Sequence, residues 1–121
     1  KNNVNKLFNI KKSKDERKLG NDMRICVYHS IKNNSERSKA TIYLKCSIKM
    51  LKKHIESQFT EGMTWNNWSR SGWHIDHIKP LTAFDLYNKK QFAEAFHYTN
   101  LQPLWAKDNL KKHKSYPQVS L

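Results

Sequence analysis

The chain has 121 residues, with 23 Lys plus Arg against 10 Asp plus Glu and a formal net charge of +13. That length is one domain's worth of chain and excludes a large enzyme scaffold, while the charge points to a polyanionic partner, most often nucleic acid; a basic tail that merely solvates is the plain alternative. No apolar run approaches the roughly 20 residues of a membrane span, and the polar N-terminus lacks the apolar segment of a signal peptide, so an intracellular protein (host or bacterial cytoplasm) with no membrane partner is expected.

Residues 1–17 are rich in Lys and Asn and read as a flexible basic arm. Leu19, Met23, Cys26, Val27 and Ile31 then recur at helical spacing, which predicts a first helix over about 15–33. Thr41–Cys46 is ambiguous between a strand and an extended connector. Ser47 is a candidate N-cap for a second helix whose inner face carries Ile48, Leu51, Ile55 and Phe59, with Gly62 as its stop. Cys26 and Cys46 have no CxxC partner, and a zinc ribbon needs four closely spaced ligands; a disulfide is one reading of the pair, and two buried free thiols in a reducing compartment are the better one.

Trp65, Trp68 and Trp73 stand among Asn, Ser, Arg70 and Gly72, and core packing is the better account of them than base stacking. A strand begins at Trp73 and breaks at Pro80, which lacks a ladder donor. Asn88 and Gln91 make a capping pair for a short helix ending near His97. Asn100–Trp105 reads as an interrupted strand or turn, and a last helix runs over about 107–114.

Chemistry concentrates in Gly72-Trp-His-Ile-Asp-His-Ile-Lys-Pro80, where His74, Asp76 and His77 fall within four residues. Phosphodiester cleavage needs a deprotonated water, relief of charge on phosphorus and neutralisation of the departing alkoxide. A neutral histidine, with an ordinary pKa of about 6.5, suits the first task. A Mg²⁺ ion suits the other two as a Lewis acid and needs only one or two protein oxygens. Asp76 offers one such oxygen beside His77. A last helix packed across this strand brings the Asn109 amide oxygen to the same cation.

Three ordered blocks, Asp76-His-Ile-Lys-Pro80, Asn100-Leu-Gln-Pro-Leu104 and Asp108-Asn-Leu-Lys-Lys112, resemble the HNH nucleases of the ββα-metal (His-Me finger) type, nearest to those of phages and large DNA viruses. The resemblance covers about residues 41–112. It implies Asp76 and Asn109 as ligands of one Mg²⁺ or Mn²⁺ ion, His77 as general base and Asn100 as the residue orienting the loop and that histidine. His74 is implied to be a partner of Asp76 or a phosphate contact. Double-stranded DNA is the implied partner, met by Arg70, Lys79, Lys107, Lys111 and Lys112. The motif is the His-Asn-Asn variety. Where phage relatives often read Leu-Gly-Cys before the second helix, this chain has Leu44-Lys45-Cys46, and it lacks the flanking zinc cysteines many members carry.

The expected fold is therefore α+β, with N-terminal helices leading into a small ββα-metal unit that has no cysteine zinc site. The divisions are an arm (1–17), a helical region (18–62), a nuclease core (63–115) and a tail (116–121). One geometric condition attaches to it. Neighbours on a regular strand point to opposite faces, so Asp76 and His77 share one site only if the chain bends, whereas His74 and Asp76 share a face. The competing readings are a non-catalytic nucleic-acid-binding module of the same fold and a binuclear metallohydrolase. The latter needs more His and Asp ligands than this length supplies.

Overall fold

A computed structural model describes residues 12–115, with side chains described through 112. The first eleven residues of the expected arm and the tail from 116 lie outside the described residues. Within them the chain folds as helices around a two-stranded antiparallel sheet, in the order α1 (Lys14–Lys32), α2 (Ala40–Leu44), α3 (Ile48–Glu56), β1 (Trp73–His77), α4 (Lys89–Phe96), β2 (Leu101–Trp105) and α5 (Ala106–Ser115). No helix among the described residues is long and apolar enough to cross a membrane.

Helix α1 starts inside the segment expected to be an arm. Ser13 caps it by accepting from the Glu16 N–H at 3.0 Å, and Asp15 and Glu16 favour its positive N-terminal end. Glu16 is itself buried, accepting from the Leu86 N–H at 2.9 Å and pairing with Lys12 at 2.9 Å. The helix's apolar stripe is Met23, Val27 and Ile31; Leu19, expected inside, is 39% exposed.

The ambiguous 41–46 segment is helical, because Ala40 and Leu44, four apart, bury one face while Ile42 stays exposed. It ends at Lys45, whose φ of 59° is left-handed. This is where the resemblance expects glycine, and lysine adopts the same conformation at a steric cost. Ser47 caps α3 by accepting from Met50 N at 3.0 Å. The Glu36 carboxylate adds two more bonds, from Ile48 N at 2.7 Å and Lys49 N at 2.9 Å. Helix α3 stops at Glu56, six residues short of Gly62, which instead makes a turn with φ +90°.

The sheet register pairs Trp73 with Trp105, Ile75 with Pro103 and His77 with Leu101. The flanking bonds Ile78 N to Asn100 O and Ala106 N to Gly72 O, both 2.8 Å, fix the hydrogen-bonded pairs at 78/100 and 72/106. Alternation then makes 75/103 a non-hydrogen-bonded pair, so Pro103's missing N–H faces away from β1. That is why β2 is an unbroken strand rather than the interrupted one its proline implied.

Opposite residues of an antiparallel pair share a face. Trp73, Ile75 and His77 with Leu101, Pro103 and Trp105 therefore form the face under the N-terminal helices. His74 and Asp76 with Gln102 and Leu104 form the other, covered by α5. The tryptophans are core: Trp73 is fully buried, with Phe59, Trp65 and Trp68 at ring distances of 5.1, 5.2 and 5.9 Å. Gly72 is sterically required, since a Cβ there would lie 1.9 Å from the Asn67 carbonyl oxygen. Replacing Lys45 by glycine removes the left-handed cost at a turn that is otherwise unchanged. Urea unfolding of Lys45→Gly is expected to show a gain of about 0.5–1 kcal/mol; a loss would contradict the turn.

Candidate functional site

Asp76 is the buried charge of the sheet, 8% exposed. Its Oδ2 accepts from Gln102 Nε2 at 2.9 Å and from Lys112 Nζ at 2.7 Å. Lys112 also donates to the His77 carbonyl oxygen. An unpaired carboxylate in such a place is costly, and the ammonium and amide together offset that cost. Lys112, expected from the sequence to meet phosphate, has its charge committed to Asp76.

Asn109 lies one helical turn before Lys112 and so shares its face of α5. Its Nδ2 lies 3.1 Å from His74 Nδ1, while His74 Nε2 lies 2.9 Å from the Arg70 carbonyl oxygen. A carbonyl can only accept, so Nε2 carries the proton and Nδ1 is the acceptor. The relay is Asn109 to His74 to Arg70, with the Asn109 oxygen left outside it. The expected His74–Asp76 contact does not form. Alternate strand residues stand roughly 7 Å apart, and α5 meets each with its own residue.

Asn100 ties the end of β1 in place. Its Oδ1 accepts from Lys79 N at 2.9 Å, and its Nδ2 donates to the Lys79 carbonyl at 3.1 Å and the Ala95 carbonyl at 3.0 Å. One side chain thus holds the loop after His77 and the last turn of α4. Lys79 itself is exposed, its ammonium 4.7 Å from the Phe84 ring centroid. Lys107 and Lys111 are exposed on α5.

His77 stands on the opposite face. The strand stays regular through it, paired with Leu101, so Pro80 does not bend the chain and the Asp76 and His77 side chains diverge. The His77 ring meets Phe96 edge-on at 4.9 Å, and Nε2 is buried with no partner among the described residues. Burial, and after it the Arg24 guanidinium, push its pKa from 6.5 down to about 4. The ring is therefore neutral at pH 7, as a base must be. It borders a cavity of about 790 Å³ between α1 and β1 that Arg24, Tyr28, Trp68 and Arg70 also line.

The structure therefore gathers His74, Asp76, Asn109 and Lys112 between β1 and α5, with Asn100 at the strand end and His77 behind it. Sequence reasoning missed Gln102, which only the strand register places against Asp76. It also missed Arg24 and Tyr28, though Asn21, Arg24 and Tyr28 share a helix face beside the apolar stripe. His54, expected at the surface, is half-buried with its ring edge-on to Tyr98 at 5.0 Å.

Among the described residues no three His, Cys, Asp or Glu side chains group as a metal cluster. The donor set is one carboxylate and one amide oxygen. That suits an ion such as Mg²⁺ that keeps several waters and does not suit tetrahedral zinc. Gln102 and Lys112 both engage Oδ2, so an ion taken up at that oxygen has to displace Lys112.

The chain is similar to two uncharacterized proteins of Acanthamoeba polyphaga mimivirus. One is 35% identical over 96 residues, covering 78% of this chain and 42% of that protein. The other is 30% identical over 82 residues, covering 68% and 36% respectively. The chain thus spans about two fifths of the length of these curated relatives. No family model matches it, and no solved structure matches it significantly.

Asn100→Ala leaves the Lys79 and Ala95 groups without partners, and urea unfolding is expected to lose about 2–3 kcal/mol; a loss below about 0.5 would contradict the clamp. Stability contributed by neutral His77 is full above about pH 6.5 and falls as pH drops toward about 4. An NMR titration in EDTA should place the His77 midpoint well below 6.5, and an ordinary midpoint would show that the ring is not buried.

Proposed function

We propose that the protein is a metal-dependent HNH endonuclease that hydrolyses DNA phosphodiester bonds through a ββα-metal unit formed by β1, β2 and α5. The observation that carries this reading is the meeting of three blocks far apart in the chain: Asn109 reaches His74 at 3.1 Å, Lys112 reaches Asp76 at 2.7 Å, and Asn100 braces Lys79 at 2.9 Å. Asp76 and Asn109 would hold one Mg²⁺ or Mn²⁺ ion, which supplies Lewis-acid stabilisation of the phosphate and the leaving 3′ oxygen.

His74 fixes the Asn109 rotamer and decides which end of that amide is offered. His77, neutral at working pH, takes the proton of the attacking water. Its side chain and that of Asp76 face apart, but their Cα atoms are only about 3.8 Å apart. The reading requires the scissile phosphate at the C-terminal end of β1, where both groups would be approached around the strand end that Asn100 holds. Lys112, once released from Asp76, is placed beside that phosphate, and Lys79, Lys107, Lys111 and Arg70 supply positive charge to the flanking backbone.

A second reading, a non-catalytic nucleic-acid-binding module with this fold, is favoured by one observation: Lys112 already neutralises Asp76, and the pair is stable without an ion. It predicts salt-dependent DNA binding without cutting. Supercoiled plasmid incubated with protein and Mg²⁺ separates the two. Nicking is expected with Mg²⁺, abolished by EDTA and lowered about 10²- to 10⁴-fold in His77→Ala. Equal nicking under all three conditions would refute the nuclease reading.

A further inference from the structure

The cavity between α1 and β1 borders the Asp76 cluster, since His74 lines it together with His77, and its remaining walls have a chemistry of their own. Among the described residues lining it none is acidic, while Arg24 and Arg70 stand at its edges. Tyr28 is 41% exposed, with its ring 4.8 Å from that of Trp68. The Lys32 ammonium lies 5.8 Å from both ring centroids. An aromatic surface framed by cations and free of carboxylates is matched to a flat ring bearing an anion. The volume of about 790 Å³ falls within the roughly 300–1,000 Å³ of sites that take small ligands. It is far too small for a duplex, whose major groove alone is about 12 Å wide. At the floor lies His77, whose buried Nε2 lacks a partner among the described residues.

We infer that this groove accepts a single unpaired nucleotide of a DNA strand, its base on the exposed Tyr28 ring beside the half-buried Trp68 and its phosphate between Arg24 and Arg70. The inference rests on the nucleic-acid reading above and extends it: α1, outside the ββα unit, selects DNA with a displaced or missing base partner next to the cutting site. Stacking on an exposed aromatic ring such as Tyr28 is tolerant of base identity, so the selection is for strand state and not for sequence. A base that leaves its stack loses pairing energy, least where it is already unpaired. Gapped or flapped DNA is therefore the favoured form.

The test is fluorescence anisotropy with labelled oligonucleotides in EDTA, which reads binding without requiring any cut. The full chain is compared on an intact duplex and on the same duplex with a short single-stranded gap. The unaltered protein is expected to bind the gapped form more tightly. Tyr28→Ala should weaken gapped binding about tenfold and leave intact-duplex binding within about twofold. Arg24→Gln should lower the salt slope on gapped DNA by about 1. Circular dichroism of both variants controls for folding, and Tyr28→Phe, which keeps the stacking ring, should restore gapped binding. Equal weakening on both DNAs, or none on the gapped one, overturns the groove assignment and has no bearing on whether plasmid is nicked. Failure of the unaltered protein to bind either DNA overturns both readings.

Discussion

The pairing of β1 with β2 decides which side of the sheet each residue of the Trp73–His77 run serves, and the remaining structure follows from that register. With Asp76 opposite Gln102 and His77 opposite Leu101, one face carries carboxylate and imidazole toward α5 and the other carries indole, aliphatic and imidazole groups toward the core. A slip of one residue would drive Asp76 among Phe59, Trp65 and Phe96 and expose Trp73. Burial of Trp73 and Leu101, both within 1% of complete, holds the register against that slip. Asn100 pins its open end, where the backbone would otherwise fray into the loop toward Pro80.

The same register explains the electrostatics. Asp76 can be buried because Gln102 arrives from across the sheet and Lys112 from the helix above it. Lys112 can reach because Asn109, three residues earlier, is held by His74. His77 lies on the apolar side and has the opposite character, a desolvated base whose protonation is opposed by burial and by Arg24. Two adjacent residues thus obtain contrasting environments from strand alternation alone, one carboxylate paired with the Lys112 ammonium and one imidazole kept neutral by its surroundings.

Features governed by a few adjacent residues were legible in the sequence. Ser47 and Asn88 both cap as their spacing indicates, and the Ile48, Leu51, Ile55 stripe lies where its period puts it. The α+β organisation, and the convergence of the 72–80 and 105–112 segments, were likewise legible because the motif blocks are dense. What the sequence did not yield depends on partners distant in the chain. Whether Pro103 interrupts a strand turns on which way its nitrogen faces, and that is a property of the pairing. Whether Lys45 can stand in for glycine turns on how tightly α2 and α3 are joined. Lys112 read as a free phosphate ligand because nothing local reveals that the Asp76 carboxylate lies across from it. The expected bend at His77 failed for the same reason: Pro80 restricts its own loop, while the ladder to Leu101 keeps the strand straight three residues before it.

The most direct measurement is a Mn²⁺ titration of ¹⁵N-labelled protein, reading paramagnetic broadening residue by residue. One saturable site is expected, with the Asn109 side-chain amide and the backbone signals of His74 and Asp76 lost first and Lys112 released from its bond. Broadening centred elsewhere, or none at Asp76 and Asn109, would contradict the placement of a cation between β1 and α5.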